Sequence, residues 1–346
     1  MTTRTFLVTF LLAVFAILAS ASGAMADPEP WVVYEGDDGP GAGKHIVLIS
    51  GDQEYRSEEG LPQLGKILAE HHGFTSTVLF PINPETGAID PETTTNVPGT
   101  EALRDADLMI IASRFLHLPE EQMAPIAAYI NAGKPVIGLR TATHAFRLSV
   151  EDDPYDPYHH YSFDYEGEDW PGGFGRQVLG ETWVRHQADS KQTGTRGRIA
   201  PGAESHPVLN GVPDGALFAR SDAYGVRLPL PGPSRVLLLG EVVSGMDPDD
   251  PAVEGEVNTP MMPAAWTRTY VSPTGEGGRA FTTTMGSAQD LRNEEMRRLI
   301  VNASYHLLGM DVPAEATVDT VGPYNPSPRG FDAYKEGVLP AAHRPD

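Results

Sequence analysis

The stretch "GKPVIGLRTATHAF" (133–146) joins a continuous apolar run to a turn that carries Arg140 and His144. A short apolar run of this kind, ending at Leu139, is typical of a strand buried inside a parallel sheet. The segment before it, 118–133, predicts a helix with a proline in its first turn and a glycine at its end. The stretch therefore predicts a helix, a buried strand and a turn at the carboxyl end of that strand.

The same alternation of strands and helices runs back towards the N-terminus. Strands that alternate with helices form right-handed βαβ units, so we predict an α/β fold with a doubly wound, mostly parallel sheet. The predicted elements are strands at 45–50, 75–80, 106–113 and 134–139 and a helix at 61–70. Ligands of such sheets bind beyond the carboxyl ends of the strands. The loops to inspect are therefore 51–59, 81–99, 113–118 and 140–147.

The second half of the chain is less regular. Residues 150–176 form a long acidic and aromatic insertion, and loops of this length are usually functional or disordered. Its Tyr, Phe and Trp content argues against disorder. After it we predict short strands at about 216–219, 235–241, 263–270 and 279–285, an amphipathic helix at 293–309 and an irregular tail.

The N-terminal segment has the features of a secretory signal peptide. Arg4 precedes an apolar core at 6–18, and Ala24-Met25-Ala26 fits the small-x-small rule for cleavage. The alternative is a membrane anchor, but the apolar core is shorter than the ~20 residues that a span needs. We predict cleavage after about Ala26 and a secreted or periplasmic protein. The predicted parts are a signal at 1–26, a lead-in at 27–43, one domain at 44–310 and a tail at 311–346.

The 346 residues include no cysteine and carry a formal net charge of −22. The lack of cysteine excludes disulfides, thiolate metal sites and cysteine nucleophiles. The negative charge repels nucleic acid and anionic lipid, so we expect neither as a partner after signal cleavage. A small neutral molecule such as a carbohydrate fits this surface better. The glycine motifs of nucleotide enzymes and of serine hydrolases are also missing.

The loop after the first strand is rich in carboxylates. Asp52 and Tyr55 are nearest the strand end, where they can bind substrate hydroxyls or transfer protons. The alternative is a solvated loop that caps the helix. In that case Ser57 is the N-cap, and Glu58 and Glu59 interact with the positive end of the helix.

The loops after the third and fourth strands offer cations and a histidine. Arg114 can hold a hydroxyl or carboxylate, or simply pair with a nearby acid. Arg140 and Thr141 are the first residues beyond the buried strand and are candidates for substrate binding, and Thr141 or Thr143 can cap a helix that begins there. A helix N-terminus lowers the pKa of His144, which then stays neutral as a base or metal ligand. The alternative is a histidine that only caps the helix.

Further candidates lie in the second half of the chain. Asp222 and Tyr224 interrupt a strand pattern, and Ser287 lies in the loop between the last strand and the last helix. Trp266 and Arg268 share one strand face, where a tryptophan either stacks on a sugar or belongs to the core.

Several histidines raise the possibility of a zinc site of imidazoles and a carboxylate. No pair has a diagnostic metal spacing, so we predict no cofactor and keep zinc as the alternative. A histidine doublet in a Tyr- and Asp-rich loop is more often simply surface. The histidines concerned are His144, His159, His160, His186 and His206.

Five segments together resemble the ThuA-like (trehalose-utilisation) family, and most of all its secreted, planctomycete-type branch. The resemblance extends over about residues 44–310. The segments are "HIVLISGDQEYRSEE", "GKPVIGLRTATHAF", "GGFGRQVLGETWVRHQ", "APGAESHPVLNGV" and "PAAWTRTY" with "GRAFTTTMGSAQDLRNEEMRRLIVNASYHLLGM".

This resemblance implies a fold like that of class I glutamine amidotransferases, which is built on a flavodoxin-like sheet. In those enzymes the turn after the matching strand holds a cysteine nucleophile, where this chain has Arg140. Amidotransferase chemistry is therefore excluded. Many ThuA-like proteins have a histidine at or near this position, so Arg140 departs from the family. His144, His206 and the loop 286–290 match it, although Ser287 stands where relatives often have histidine.

The resemblance also implies a role in sugar use, on glucosides or 3-keto-glucosides. We expect His144 as a base, with Asp52 as its partner acid and His206 in the same pocket. Arg140 and Arg114 would hold hydroxyl or keto oxygens, an arrangement suited to enolisation next to a ketone. Isomerisation and elimination both follow from such a step. The alternatives are a non-catalytic sugar-binding or scaffold domain, since fold does not give function, and a zinc-dependent hydrolase.

Overall fold

The computed structural model describes residues 29–148, 156–189 and 191–345. The predicted signal peptide and its cleavage site lie outside these ranges. Within the described ranges, no helix has both the length and the apolar character needed to cross a membrane. The α-helices found there are α1 (Ser57–His72), α2 (Glu120–Asn131) and α3 (Glu294–Leu307).

Ten strands of the described chain share one large sheet, and two more form a separate small pair. The strands are β1 (Trp31–Tyr34), β2 (His45–Gly51), β3 (Thr75–Leu79), β4 (Leu108–Ser113), β5 (Val136–Leu139), β6 (Arg185–His186), β7 (Gly194–Ile199), β8 (Phe218–Ala219), β9 (Tyr224–Gly225), β10 (Ser234–Val243), β11 (Met262–Val271) and β12 (Gly277–Thr283).

The middle of the large sheet confirms the predicted fold class. Five parallel strands lie side by side in the order β3-β2-β4-β5-β12. Numbered among themselves along the chain, they follow the order 2-1-3-4-5 of flavodoxin-like sheets. β1 pairs antiparallel with β3 at one edge, and β11, β10, β7 and β8 extend the sheet antiparallel beyond β12. β6 and β9 form the separate antiparallel pair.

Sequence patterns did not predict β1 or β7. β1 lies inside 27–43, which we expected to be an exposed lead-in, yet Val32 and Tyr34 are buried in the core. β7 has the sequence GTRGRI, and its buried positions are Gly194, Thr195 and Gly197. A strand that buries glycines has no apolar alternation for a sequence reading to detect.

The parallel strands are covered on both faces. Along β2, Ile46 and Leu48 face one core, while Val47 and Ile49 face the other. The first core packs against α1 and α3, and the second against α2. This is the burial expected of a doubly wound sheet. The second core also takes up three aromatic side chains of the long insertion: Tyr161, Trp170 and Phe174.

The turn after β5 is a single 3₁₀ helix, Arg140–His144, and the described residues after it, 145–148, are not helical. The prediction that His144 begins a helix capped by Thr141 or Thr143 is therefore wrong. Both threonine hydroxyls bond to side chains elsewhere in the fold instead. Arg140 has a φ of 47°, in the left-handed region that residues with a side chain rarely adopt.

Candidate active site

The loops after β2, β4 and β5 meet at one edge of the sheet, as predicted for a doubly wound fold. The amide of Arg114 donates to the carbonyl of Gly51 at 2.9 Å, and the amide of Phe115 donates to that of His144 at 3.0 Å. A cavity of about 380 Å³ opens between these loops. Its lining consists of Glu54, Tyr55, Arg114, Phe115, Arg140, Thr141, His144, Trp183, His186, Lys191, Tyr224 and Phe331.

Arg140 is buried at the back of this cavity and links its walls. One terminal nitrogen donates to the carbonyls of Asp222 and Thr284, the latter at 2.7 Å. The other donates to Asp222 Oδ1 at 2.6 Å and to the Tyr55 hydroxyl at 2.8 Å. The guanidinium also lies 4.3 Å from the ring centre of Tyr55. Because both terminal nitrogens are bound within the protein, Arg140 supports the site rather than holding a substrate oxygen.

A chain of hydrogen bonds runs from the backbone of Arg140 to His144. The Tyr224 hydroxyl donates to the Arg140 carbonyl at 2.7 Å and lies 2.8 Å from Thr143 Oγ1. Because the hydroxyl hydrogen of Tyr224 is donated to the Arg140 carbonyl, the Thr143 hydroxyl must donate to the Tyr224 oxygen. Thr143 Oγ1 then accepts from His144 Nδ1 at 3.3 Å. These bonds help to hold the left-handed turn, and they leave His144 Nε2 as an acceptor.

His144 lies in an aromatic environment. Its ring centre is 5.3 Å from that of Phe115, 6.0 Å from Trp183 and 6.4 Å from Phe163. Burial, with a smaller contribution from Arg114, lowers the pKa of His144 to about 3. His144 is therefore neutral at physiological pH, as expected from sequence, but because of desolvation and not because of a helix N-terminus.

His186 and Asp222 form a hydrogen-bonded pair at the cavity. His186 Nδ1 lies 2.9 Å from Asp222 Oδ2, and the other carboxylate oxygen receives the bond from Arg140. Burial alone would raise the pKa of Asp222, but Arg140 and His186 outweigh it and hold that pKa below its usual value. A carboxylate only accepts, so Nδ1 is the donor of this bond, and in the neutral tautomer that it selects Nε2 is the acceptor. The small pair of β6 with β9 sets this geometry, because His186 is the register partner of Tyr224.

Asp52 is occupied by structure. Its carboxylate accepts from the amides of Glu54 and Tyr55 at 2.7 and 2.9 Å, and from the Thr141 hydroxyl. These bonds fix the loop after β2 against the turn after β5. Asp52 does not line the cavity, so it is not placed as the partner acid of His144. The predicted N-cap role of Ser57 is also wrong, because its hydroxyl accepts from amides of the preceding loop.

Aromatic and cationic side chains form the rim. The Arg114 guanidinium lies 4.3 Å from the ring centre of Phe115 and 5.2 Å from that of Phe331. Phe331 comes from the C-terminal tail, which is tied to the loop after β2 by the bond from the Gly330 amide to the Glu54 carbonyl, 2.8 Å. Arg114 thus lines the cavity, as its predicted role requires.

The structure does not bring His206 to the cavity. His206 caps a short 3₁₀ helix, where its Nδ1 accepts from the Val208 amide at 3.3 Å. Its ring packs 4.9 Å from that of His306, in the last turn of α3. The His306 carbonyl accepts from Arg279, near the start of β12. His206 therefore lies near the amino ends of the parallel strands, whereas the cavity lies at their carboxyl ends.

Three other predicted residues have structural partners away from the cavity. Trp266 is fully buried and donates from Nε1 to the Leu179 carbonyl at 2.7 Å, so it belongs to the core and cannot stack on a sugar. Arg268 donates to the Arg176 carbonyl at 2.9 Å. Ser287 is buried, and its hydroxyl accepts from the amide of Asp290 at 3.2 Å.

The histidines do not assemble a metal site in the described part of the chain. Over 29–148, 156–189 and 191–345, no group of three or more His, Cys, Asp or Glu side chains is placed to hold a metal ion. His159 packs against Tyr165, and His160 against Tyr161 and Trp170. The doublet is thus part of the aromatic packing of the insertion.

Sequence reasoning missed several cavity residues. Trp183 and Phe115 form aromatic walls, and Phe331 reaches the cavity from the tail. His186 was considered only as a metal ligand. The stretch "GETWVRHQ" does hold an informative signal, a tryptophan and a histidine three residues apart after the insertion. No local signal could have identified Phe331, which is distant in sequence from every other lining residue.

Comparisons with known proteins returned no family model and no curated protein that matches this chain. Among solved structures, it is similar to a ThuA-like protein from Parabacteroides merdae. The identity is 15%, the alignment covers 78% of this chain and 92% of that one, and the TM-score is 0.43. The N-terminal domain of mmIFT52 aligns at 11% identity over 76% and 97% of the chains, with a TM-score of 0.37. The exo-beta-1,4-mannosidase Op5Man5 from Opitutaceae bacterium strain TAV5 aligns at 8% identity over 77% and 36%, with a TM-score of 0.31.

Proposed function

We propose that this protein is a carbohydrate-active enzyme that works by proton transfer, with His186 as the base. One observation carries the proposal: buried Asp222, fixed by Arg140, accepts from His186 Nδ1 at 2.9 Å, and His186 lines the cavity. A carboxylate in this position holds the imidazole in one tautomer and stabilises the imidazolium that forms. Two successive hydrogen bonds thus connect the proposed base His186 to Asp222 and Asp222 to Arg140.

His186 suits the role of base better than His144 does. A general base works best when its pKa is close to the operating pH. The pKa of His144 is lowered to about 3 by burial, which makes it a poor proton acceptor. His186 is about half exposed, and its Nδ1 lies 2.9 Å from the Asp222 carboxylate, which fixes the orientation of the imidazole ring. His144 instead offers a neutral Nε2 acceptor to a substrate hydroxyl.

The cavity walls fit a sugar ring. Trp183 and Phe115 offer flat apolar faces, and aromatic rings bury such surface while polar groups orient the ligand. The Arg114 guanidinium adds a positive charge beside these rings, where it can stabilise a developing oxyanion. Together with the sequence resemblance to ThuA-like proteins, these features support glucosides or 3-keto-glucosides as substrates.

The proposed reaction is enolisation next to a ketone. His186 Nε2 takes the proton from the carbon beside the carbonyl, and the electron pair moves onto the carbonyl oxygen near Arg114. Isomerisation follows when His186 returns the proton to the former carbonyl carbon and the hydroxyl on the deprotonated carbon passes its own proton to the enolate oxygen. Elimination follows when the enolate re-forms the carbonyl and breaks the bond to the substituent on the next carbon, which leaves with the proton from His186. The signal-like N-terminus supports a secreted or periplasmic site of action.

Turnover of glucosides and their 3-keto derivatives tests the proposal. We expect turnover by the wild type and a loss of about 10²–10⁴-fold in kcat for His186→Ala. His206→Ala is the matched control, because it removes a histidine at the opposite edge of the sheet, and it should keep full activity. Full activity of His186→Ala would refute the assigned base.

A non-catalytic sugar-binding or scaffold domain is the second candidate. Most polar atoms of Arg140 and Asp52 already make hydrogen bonds within the protein, so these two residues do not contribute to catalysis directly. This observation favours the non-catalytic alternative. The two functions differ in one experiment. A ligand-induced rise in melting temperature without turnover of any glycoside would support binding alone.

A further inference from the structure

A second cavity, of about 300 Å³, lies between α1 and the C-terminal segment 323–343. We call it the tail cavity. It shares no lining residue with the candidate active site. Its volume is at the lower end of the range of ~300–1,000 Å³ typical of small-molecule sites.

The floor of the tail cavity contains polar atoms that have no partner. Glu58 is 5 % exposed, and neither of its carboxyl oxygens makes a hydrogen bond within the described residues. Its closest cation is Arg56, whose Nε is 3.7 Å from Oε1, beyond hydrogen-bond distance. Glu59 Oε1 and Gln63 Nε2 are equally unpartnered there. Buried polar atoms are nearly always satisfied, so this concentration of exceptions points to a missing partner.

The walls of the tail cavity are apolar and aromatic. Pro62 and Ile89 line one part, and Val338 closes it from the tail. Tyr324 and Tyr334 add two rings, and the Tyr324 hydroxyl is already used in a 2.6 Å bond to a backbone carbonyl. A ligand for this space needs a polar head and an apolar body.

The unpartnered atoms define that head. On the lining residues they comprise three acceptor oxygens, two of Glu58 and one of Glu59, against the single donor of Gln63. Behind the lining, Nε and Nη1 of Arg56 are also unpartnered, but Nε stays 3.7 Å from Glu58 Oε1. We propose that the tail cavity binds a small organic cation, a primary ammonium group on a short apolar body. An ammonium has three donors and no acceptor, so it matches the three oxygens. The aromatic walls favour a cation as well, through attraction to the ring faces.

The charges around Glu58 agree with a missing cation. Burial raises the pKa of Glu58 to about 8 although Arg56 opposes the shift. An ammonium beside the carboxylate would restore its ionised form. The protein's charge of −22 also attracts cations. Burial keeps His343, another residue of the cavity lining, neutral by lowering its pKa to about 4. Glu59 and Lys335 form an ion pair. The other ionisable groups at the cavity or near Glu58 are Asp52, Lys66, Tyr324 and Tyr334.

Isothermal titration of the full chain with cyclohexylammonium and with cyclohexanol tests this proposal, because the two probes share a shape and differ in charge. We expect binding of the amine only, at pH 8.5, and at least a tenfold loss of affinity in Glu58→Gln. His186→Ala should bind the amine as the wild type does, because His186 lies in the other cavity. The outcome is therefore independent of the proposed enzymatic function.

Two further measurements keep the proposal testable if Glu58→Gln fails to fold. Tyr334→Ala, on the partly exposed wall, should weaken amine binding several-fold. In the wild type, affinity should fall by about tenfold per pH unit below 8, because Glu58 must lose its proton to hold the cation. Equal affinity for amine and alcohol, undiminished binding by Glu58→Gln, or a flat pH profile would each overturn the proposal.

Discussion

Replacing Asp222 by Asn tests the buried ion pair that supports the candidate active site. The substitution keeps the shape of the side chain but removes the charge that lies 2.6 Å from Arg140. Arg140 is 2 % exposed, so water cannot compensate its charge. Removing one partner of a buried pair costs about 3–5 kcal/mol. Asn keeps one acceptor, so we expect a loss of about 3 kcal/mol, a large part of the ~5–15 kcal/mol that stabilises a protein.

Urea unfolding at pH 7, followed by circular dichroism, measures this loss as a lower midpoint at unchanged slope. Asp214→Asn is the matched control, since Asp214 pairs with Arg198 at a similar 2.8 Å but both side chains are at least 40 % exposed. That change should cost no more than about 1 kcal/mol. Equal losses of unfolding free energy in the two variants would refute the reasoning that burial makes the Arg140–Asp222 ion pair contribute more to stability than the exposed pair does.

The effect of Asp222→Asn also has a defined pH dependence. Arg140 and His186, opposing the effect of burial, lower the pKa of Asp222 below its usual value. The folded state therefore holds the charged form more tightly than the unfolded state does. The stabilisation is complete above the unfolded pKa of about 3.9 and is lost only as pH falls through the lower folded value. The difference between wild type and variant should thus stay constant from pH 7 to pH 5.

Three further predictions address the cavity and its histidines. Trp183→Ala should weaken glycoside binding at least several-fold with little change in stability, as titration and thermal melting would report, because this ring lies at the cavity and is only partly buried. The pKa of His144 is lowered from 6.5 to about 3, so the unfolded state binds the extra proton between these values. His144 alone should therefore lower wild-type stability by up to about 1.4 kcal/mol per pH unit below 6.5, in addition to other histidines whose pKa burial lowers, such as His343. His144→Asn should reduce the slope of the urea midpoints at pH 7, 6 and 5 by that contribution. Dialysis against EDTA should leave the melting temperature unchanged; a fall would revive the zinc-dependent alternative.

The parallel half of the fold could be predicted because its strands are apolar on both faces. The run at 45–50 is recognisable without its partners, since a strand covered on both sides must be continuously apolar. β7 could not be predicted, because its buried positions are two glycines and a threonine, and the side chains that cover the glycines, Phe218 and Leu217, come from another part of the chain. The apolar spacing predicts α1 only from residue 61, and only the capping alternative brings its start to Ser57, because the residues of its first turn are polar yet buried beside the tail.

The position of the candidate site could be predicted, but the roles of its residues could not. Topology alone places the ends of β2, β4 and β5 together, and the loops there carry Arg114, Arg140 and His144, which line one cavity. Sequence cannot show how many hydrogen bonds a side chain has already made. Arg140 and Asp52 were therefore expected to contact substrate, whereas their partners are protein groups.

Arg140, in the turn after β5, therefore has an indirect part in the proposed chemistry. Its left-handed backbone is held by the Tyr224 hydroxyl, and its guanidinium fixes Asp222, which in turn orients His186. His186 and Asp222 come together through β6 and β9, strands of two residues each, which have no periodic signal. The proposed base is thus positioned by the two-stranded sheet of β6 and β9, and Arg140, which supports it through Asp222, lies at the end of a central strand. This division explains why the turn after β5 locates the site while the reactive nitrogen belongs to the segment after the insertion.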